Sequence, residues 1–384
     1  MAEQAGSDDI NGVPAIPSLP GHHVLVLQGG GALGSYQAGV FAALDSADYC
    51  PQWVAGISIG AINAALIAGN PPERRRQRLA MFWERVTGHL PWDWLDDSAR
   101  PGADMLSAAR HQWAAAATSV LGAPGFFRPQ WPWLPGWWPG QVALYDTQAL
   151  EDTLAELVDW ELVNDGPVRL SVGAVNVETG NFHYFDTAQM RLDSRHVMAS
   201  GALPPGLPPV EIDGQLWWDG GLVSNTPLDH VLDGAADDDL TIFQVDLFPA
   251  RGVRPESLAD VEERAADIRF SSRTRFTTQA QARLNAPREA WARLKAQLPP
   301  ELAASADAQL LDTVARGRRA VVAQLIYRDR PWQGAAKGRE FSRATMMAHW
   351  RQGEADVATA LARCGWAGLP DGPGVWSFDA TGAG

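Results

Sequence analysis

Cysteine is scarce in this sequence, which has only Cys50 and Cys364 among its 384 residues. Two cysteines without metal-ligand spacing exclude a disulfide framework and argue against a structural zinc site. We therefore expect a protein of a reducing compartment, the cytoplasm, that binds no metal.

Long apolar runs are also missing. The best candidate, A-I-N-A-A-L-I-A-G at 61–69, has about half of the ~18 residues that a membrane-spanning helix needs. The N-terminus carries acidic residues where a signal peptide carries a basic region, and residues 1–20 are predicted to form a flexible tail. We therefore expect no transmembrane segment.

Positive charge is in deficit, since 31 Lys and Arg face 45 Asp and Glu, for a net charge of -14. This charge argues against nucleic acids and strongly anionic bilayers as partners, because repulsion would weaken binding to both. The chain is long enough to bury a sizeable core. Tryptophan, in contrast, is unusually abundant at 17 residues, and this excess needs an explanation.

Strand and helix patterns alternate in the first part of the chain. An apolar run at 22–28 predicts a buried strand, a glycine loop and helix follow at 29–44, and a second strand (53–57) and helix (59–68) come next. This order predicts a parallel sheet. Further strands are predicted at 169–176, 181–186, 215–218, 240–247 and 321–327, and further helices at 73–86, 147–158, 195–202, 256–298, 301–318 and 341–363.

A segment rich in tryptophan and proline, at about 87–141, interrupts this pattern and includes W-P-W-L-P-G-W-W-P-G at 131–140. One interpretation is a lid that makes peripheral membrane contact, because indole rings suit a water–lipid boundary. The other is a loop whose indoles pack onto the domain or onto a second copy in a homo-oligomer. We predict a catalytic domain at 21–250 that contains this insert, and a mainly helical region at 251–384 packed on it.

The sequence G-I-S-I-G at 56–60 places Ser58 between a predicted strand and a predicted helix. In a sharp strand-to-helix turn, residues two positions from the serine must lack side chains, which fits Gly56 and Gly60. The helix N-terminus beside Ser58 favours a developing negative charge. The motif predicts a nucleophilic serine; the alternative is a serine that only caps the helix.

The glycine loop G-G-G-A-L-G at 29–34 has two functional interpretations. As G-x-G-x-x-G it fits a dinucleotide site, but such a site needs an acidic residue where the next strand ends, and this chain has Ser58 there. Alternatively, the backbone N–H groups of Gly30 and Gly31 form an oxyanion hole. Because adjacent parallel strands end at one edge of a sheet, both glycine loops are expected to face the same crevice.

A general base for Ser58 is not evident among the eight histidines, since none lies in a recognisable loop setting. Asp219 ends the predicted strand at 215–218 and is followed by two glycines, so its carboxylate can project with little crowding. Trp217 and Trp218 are predicted to exclude water from the Asp219 carboxylate and so to raise its proton affinity. The alternative is a turn aspartate that closes a hairpin.

In this order, G-G-G-A-L-G, G-I-S-I-G and D-G-G-L resemble the patatin-like phospholipase family over roughly residues 22–250, including A-S-G-A-L-P-P-G-L-P-P-V at 199–210. The resemblance implies a three-layer α/β/α fold with a mostly parallel sheet, a Ser58–Asp219 dyad, a lipid or other acyl-ester substrate and no cofactor. It assigns the oxyanion hole to Gly29, Gly30, Gly31 and Gly34, the nucleophile turn to Gly56 and Gly60, and the D-G-G motif to Gly220 and Gly221. One departure is Leu33, where many relatives carry a basic residue.

Three functions are compatible with these motifs: a serine acyl-ester hydrolase, a dinucleotide-binding oxidoreductase, and a catalytically inactive regulatory module that uses the tryptophan-rich surface. The hydrolase is favoured because three separate motifs agree on one site.

Overall fold

The computed structural model describes residues 21–87, 115–116, 118–130, 141–234, 239–315, 319–328, 337–362 and 374–382. Its strands are β1 His22–Leu27, β2 Trp53–Ile57, β3 Arg128–Pro129, β4 Tyr145–Asp146, β5 Arg169–Asn176, β6 Phe182–Asp186, β7 Val210–Ile212, β8 Gln215–Asp219, β9 Leu240–Asp246, β10 Arg319–Ile326 and β11 Gly374–Asp379. Its helices are α1 Gly34–Ser46, α2 Ile59–Ala68, α3 Pro72–Val86, α4 Gln148–Leu157, α5 Trp160–Asp165, α6 Ser194–Gly201, α7 Leu228–Gly234, α8 Leu258–Lys295, α9 Pro300–Ala303, α10 Ala306–Ala315 and α11 Arg343–Ala362. None of these helices is long and apolar enough to cross a bilayer.

Hydrogen-bonded neighbours in the central sheet follow the order β11-β10-β9-β1-β2-β5. One edge of β5 pairs first with β2 and then with β8, which pairs in turn with β7, and the other edge pairs with β6. The strands from β11 to β5 are parallel to one another, whereas β6, β7 and β8 pair in antiparallel fashion. The predicted mostly parallel sheet is therefore confirmed, and the two predicted strands β5 and β6 form an antiparallel hairpin.

Helices cover both faces of this sheet, so the predicted three-layer α/β/α fold is also confirmed. Along β1, Leu25 and Leu27 face a core that includes α1 and α2, while Val24 and Val26 face a second core that includes α7. This alternation follows from the two-residue period of a strand. Burial on both faces explains why the sequence of β1 contains a continuous run of apolar residues.

The C-terminal region differs from the sequence prediction in two respects. It adds two strands to the sheet, and the second, β11, was not predicted. The helix predicted at 301–318 is two helices, α9 and α10. A break between them follows from Ser305, whose Oγ accepts a hydrogen bond from Ala308 N–H (3.3 Å), as helix-capping serines do.

Helix α11 crosses α1 at very short range. A Cβ on Gly39 would lie 2.0 Å from Trp350 O, and one on Gly353 would lie 2.3 Å from Tyr36 O. The two backbones can approach this closely only because both positions are glycine. The C-terminal region is thus packed directly on the helix that follows the glycine loop, while the domain boundary at 250 stays a prediction.

Most of the insert predicted at 87–141, including its tryptophan-rich run at 131–140, lies outside the described residues. Within the described part, Phe126 and Phe127 pack against Phe341, with ring centroids 5.7 and 6.1 Å apart. The end of the insert therefore joins the protein core beside the C-terminal region.

Candidate active site

Strand register brings Ser58 and Asp219 together. On one edge of β5, Ile57 pairs with Gly173, and the next residue of β5, Ala174, pairs with Asp219. Because β6 occupies the opposite edge over this stretch, β8 must lie in line with β2. Asp219, the last residue of β8, therefore meets Ser58, the residue that follows β2.

The Asp219 carboxylate lies beside the Ser58 side chain, which lowers the pKa of that carboxylate, and its Oδ1 accepts a hydrogen bond from Gly221 N–H (2.7 Å). The side chain is buried, with the residue 2% exposed. Burial raises the pKa of Asp219 to about 6, and the Ser58 side chain and the Gly221 N–H partly oppose this shift. A carboxylate with this pKa is ionised near neutral pH and basic enough to take a proton from a bound hydroxyl.

Ser58 occupies a strained turn, with φ of 55° and ψ of -123°. A Cβ on Gly56 would lie 2.3 Å from Gly60 O, and a Cβ on Gly60 would lie 2.4 Å from Leu27 O. Both positions must therefore be glycine for β2 to turn sharply into α2. The turn exposes the Ser58 side chain at the end of the sheet, as in nucleophile turns of this kind.

The glycine loop runs directly beside this turn. A Cβ on Gly29 would lie 3.1 Å from Ser58 Cβ. Among the residues that the structure describes, no hydrogen-bond acceptor is found for the N–H groups of Gly30 and Gly31. Two donors next to a nucleophile are the components of an oxyanion hole. Gly34 instead permits close packing of α1 on α2, since its Cβ would lie 2.5 Å from Ile59 Cγ1.

The glycines of the D-G-G motif allow β8 to end against β2 and β5. A Cβ on Gly220 would lie 2.5 Å from Gly173 O, and one on Gly221 would lie 2.9 Å from Asn225 Oδ1. Of the two tryptophans predicted to shield Asp219, only Trp217 shares its face of β8, because side chains alternate along a strand.

Sequence reasoning missed two polar residues at this site. Ser200 is fully buried on α6, and its Oγ accepts a hydrogen bond from Ser58 N–H (3.0 Å). Asn225 holds the glycine loop through both backbone and side chain: its O accepts from Gly29 N–H (3.1 Å), and its Nδ2 donates to Gly29 O (2.9 Å). Both residues lie within the region of the family resemblance, 22–250, but no spacing in the sequence marks either residue as part of the site.

We expect the Ser200→Ala substitution to lower kcat about 10-fold with little change in KM, because leaving a buried donor unsatisfied costs about 1–3 kcal/mol. The affected donor, Ser58 N–H, belongs to the turn that aims the nucleophile. The matched control is Ser171→Ala, which removes another buried hydroxyl, bonded to Asp186 (2.7 Å). This control should lose stability but keep kcat, and equal kcat values for the two variants would contradict the prediction.

Other groups that could act as a general base have hydrogen-bond partners other than Ser58. His230 Nε2 lies 2.8 Å from Asp186 Oδ2, and His349 Nδ1 lies 3.3 Å from Ser35 Oγ. Burial also raises the pKa of Asp246 to about 7, but this carboxylate is hydrogen-bonded by Gln244 Nε2 (2.7 Å) and not by a nucleophile. A raised pKa alone therefore does not distinguish Asp219 from Asp246, whereas the position beside Ser58 does.

Two family models match this chain. The model described as patatin-like phospholipase matches residues 25–232, and DUF3734, described as patatin phospholipase, matches 268–372. A curated protein, the cGAMP-activated phospholipase of Pseudomonas aeruginosa (strain BWHPSA011 / Pa011), is 27% identical over 222 residues, which are 54% of this chain and 55% of that protein. The chain thus spans about half the length of this relative.

Solved structures that resemble this one include VipD from Legionella pneumophila and the type III effector protein ExoU. VipD has 14% sequence identity and a TM-score of 0.35, covering 88% of this chain and 67% of its own. ExoU has 17% identity and a TM-score of 0.27, covering 87% of this chain and 54% of its own. Because the first family model covers more than half of the 384 residues, the chain belongs to the patatin-like phospholipase family.

Proposed function

We propose that this protein is a lipid acyl hydrolase, a carboxylic ester hydrolase of class EC 3.1.1, in which Ser58 is the nucleophile and Asp219 the base. The observation that carries the proposal is the position of the Ser58 side chain beside the buried Asp219 carboxylate, where the strand register brings the two together. A serine hydroxyl is too weakly acidic to attack an ester unaided, so an adjacent acceptor is what a nucleophilic role requires.

In the first half of the reaction, Ser58 Oγ attacks the carbonyl carbon of the ester while Asp219 takes the hydroxyl proton. The carbonyl oxygen becomes an oxyanion and accepts hydrogen bonds from the N–H groups of Gly30 and Gly31. The C–O bond to the leaving alcohol then breaks, and Asp219 returns the proton to that alcohol. An acyl group now esterifies Ser58.

In the second half, a water molecule attacks the acyl carbon while Asp219 accepts one of its protons. The bond to Ser58 Oγ breaks, the proton returns to that oxygen, and a fatty acid leaves. Since Leu33 is fully buried and carries no charge, backbone donors alone serve the oxyanion in this glycine loop.

The dinucleotide-binding alternative lacks the acidic residue that would bind the ribose after β2. Ser58 follows the last residue of β2, where a ribose-binding acid would be needed. The earlier acidic residue Asp45 has its Oδ2 3.2 Å from Arg76 Nε. The loop meets the Ser58 side chain at Gly29. These contacts favour ester chemistry.

The proposal is tested by treating the protein with a fluorophosphonate, mapping the adduct by mass spectrometry, and measuring fatty acid release from phosphatidylcholine vesicles and from soluble p-nitrophenyl esters. We expect one adduct, on Ser58, and release of fatty acid. Labelling at another residue would contradict the assignment. A folded protein without labelling would favour an inactive regulatory module, and tight NAD binding would favour an oxidoreductase.

A further inference from the structure

A short turn of the C-terminal region, Lys337–Arg339, lies against the glycine loop. Gly31 has φ of +58°, and a Cβ at this position would lie 2.2 Å from Gly338 O. In the reverse direction, a Cβ on Gly338 would lie 3.3 Å from Gly30 O. The backbone of this turn therefore supports the two residues whose N–H groups are proposed to bind the oxyanion.

The turn is anchored by a buried ammonium group. The Lys337 side chain is 3% exposed, and its Nζ lies 2.8 Å from Asp267 Oδ1 and 3.3 Å from Glu263 Oε1, both on α8. The same Nζ lies 5.6 Å from the centroid of the Phe248 ring. A buried cation with two acidic partners fixes geometry strongly, because losing one member leaves buried charge without compensation.

Helix α8 is also tied to the residue that precedes the glycine loop. Gln28 Nε2 donates to Phe270 O on α8 (3.3 Å), and Gln28 Oε1 accepts from the N–H groups of Leu247 (2.6 Å) and Phe248 (3.0 Å). The rings of Phe248 and Phe270 pack with centroids 4.8 Å apart. The loop, the end of β9, α8 and the Lys337–Arg339 turn thus form one connected unit.

We infer that Lys337 is a positioning residue for the oxyanion hole. It acts through the turn: the ion pairs with Asp267 and Glu263 hold Gly338 against Gly31, and this contact holds the N–H groups of Gly30 and Gly31 toward the carbonyl oxygen above Ser58. Its role is geometric, since two carboxylates on α8 compensate its charge. The inference rests on the proposed function, and it gives the C-terminal region a part in catalysis.

The test compares Lys337→Met with Lys295→Met, which removes another ion pair of α8, the one to Asp312 on α10. Hydrogen exchange of the amides at 29–33 and steady-state kinetics on a soluble p-nitrophenyl ester are measured for both variants and for the wild type. We expect Lys337→Met to exchange faster in the loop and to lower kcat about 10- to 100-fold with KM little changed, because misplaced oxyanion donors lose transition-state binding.

The conservative variant Lys337→Arg should recover most of the kcat, and Lys295→Met should keep wild-type kcat and loop exchange. Should Lys337→Met fail to fold, Asp267→Asn weakens the same ion pair without a buried unpaired charge and is expected to show a smaller change in the same direction. Unchanged loop exchange in a folded variant, or faster exchange with unchanged kcat, would overturn the inference.

Failure of the proposed function is a separate result. If the wild type neither hydrolyses esters nor reacts with the fluorophosphonate at Ser58, the hydrolase assignment is wrong and the catalytic role of Lys337 is wrong with it. If the wild type does both and the Lys337→Met variant matches its kcat, only the positioning role is wrong.

Discussion

Replacing Ser58 with alanine is expected to lower the rate of ester hydrolysis by about 10⁴-fold or more, because no other group replaces a lost nucleophile. Fluorophosphonate labelling should disappear completely. The free energy of unfolding should change little, since alanine keeps the Cβ of Ser58 and the N–H bonded to Ser200. The measurements are initial rates, labelling followed by mass spectrometry, and chemical denaturation.

The matched control is Ser46→Ala, at the end of α1 opposite the glycine loop, where the hydroxyl donates a hydrogen bond to Ala42 O (2.8 Å). This variant should keep wild-type rates and labelling. Residual labelling of Ser58→Ala at the wild-type level would show that another residue reacts. The same result would remove the reason to regard the strained turn at 56–60 as catalytic.

The parts of the site that lie at strand ends were predictable from sequence. Three glycine motifs mark places where the backbone must turn or approach closely: the turn around Ser58, the loop at 29–34 and the D-G-G motif after β8. Because β1 and β2 are parallel, the loops that follow them lie at the same edge of the sheet. The structure explains the remaining step: β8 continues the line of β2 beside β5, which brings Asp219 to Ser58.

The supporting contacts were not predictable, because they join residues that are distant in sequence and have no local pattern. Ser200 bonds Ser58 N–H across 142 positions, and Asn225 bonds Gly29 across 196 positions. The contact of Gly338 with Gly31 likewise depends on tertiary packing. Strand β11 was missed for a related reason: it is the edge strand of the sheet, and only two of its six residues are buried.

Burial of Asp219, the proposed base, has a cost in stability. Asp219 is ionised above about pH 6 although it is almost fully shielded from water, and a shielded charge disfavours the folded state. The same shielding makes the carboxylate a stronger base for the Ser58 proton. Catalytic sites commonly trade stability for activity in this way.

The substitution Asp219→Asn is therefore expected to have opposite effects on activity and on stability. We expect kcat to fall by about 10³- to 10⁴-fold, because the amide cannot accept the Ser58 proton. For the wild type, kcat should rise as pH increases through about 6, the pKa to which burial raises Asp219, since only the ionised form is a base. Rates on a soluble ester across this pH range measure both effects.

The sign of the stability effect follows from the same pKa. Between the ordinary pKa of 3.8 and about 6, folded Asp219 keeps a proton that the unfolded chain has released, so the wild type loses stability as pH rises through this window. The asparagine variant lacks this titration. Relative to the wild type it should gain about 3 kcal/mol in the free energy of unfolding between about pH 4 and pH 8, as measured by urea denaturation.

Asp246→Asn is the matched control, because burial raises the pKa of Asp246 as well, to about 7, but its carboxylate is hydrogen-bonded by Gln244. It should show a pH-dependent gain in stability of the same sign while keeping the wild-type kcat and its pH profile. Comparing the two variants thus separates the effect of carboxylate burial on stability from the effect of a base on kcat. If Asp219→Asn kept full activity, or if wild-type kcat did not change with pH around 6, the proximity of Asp219 to Ser58 would be structural, and the proton of Ser58 would have to pass to another group.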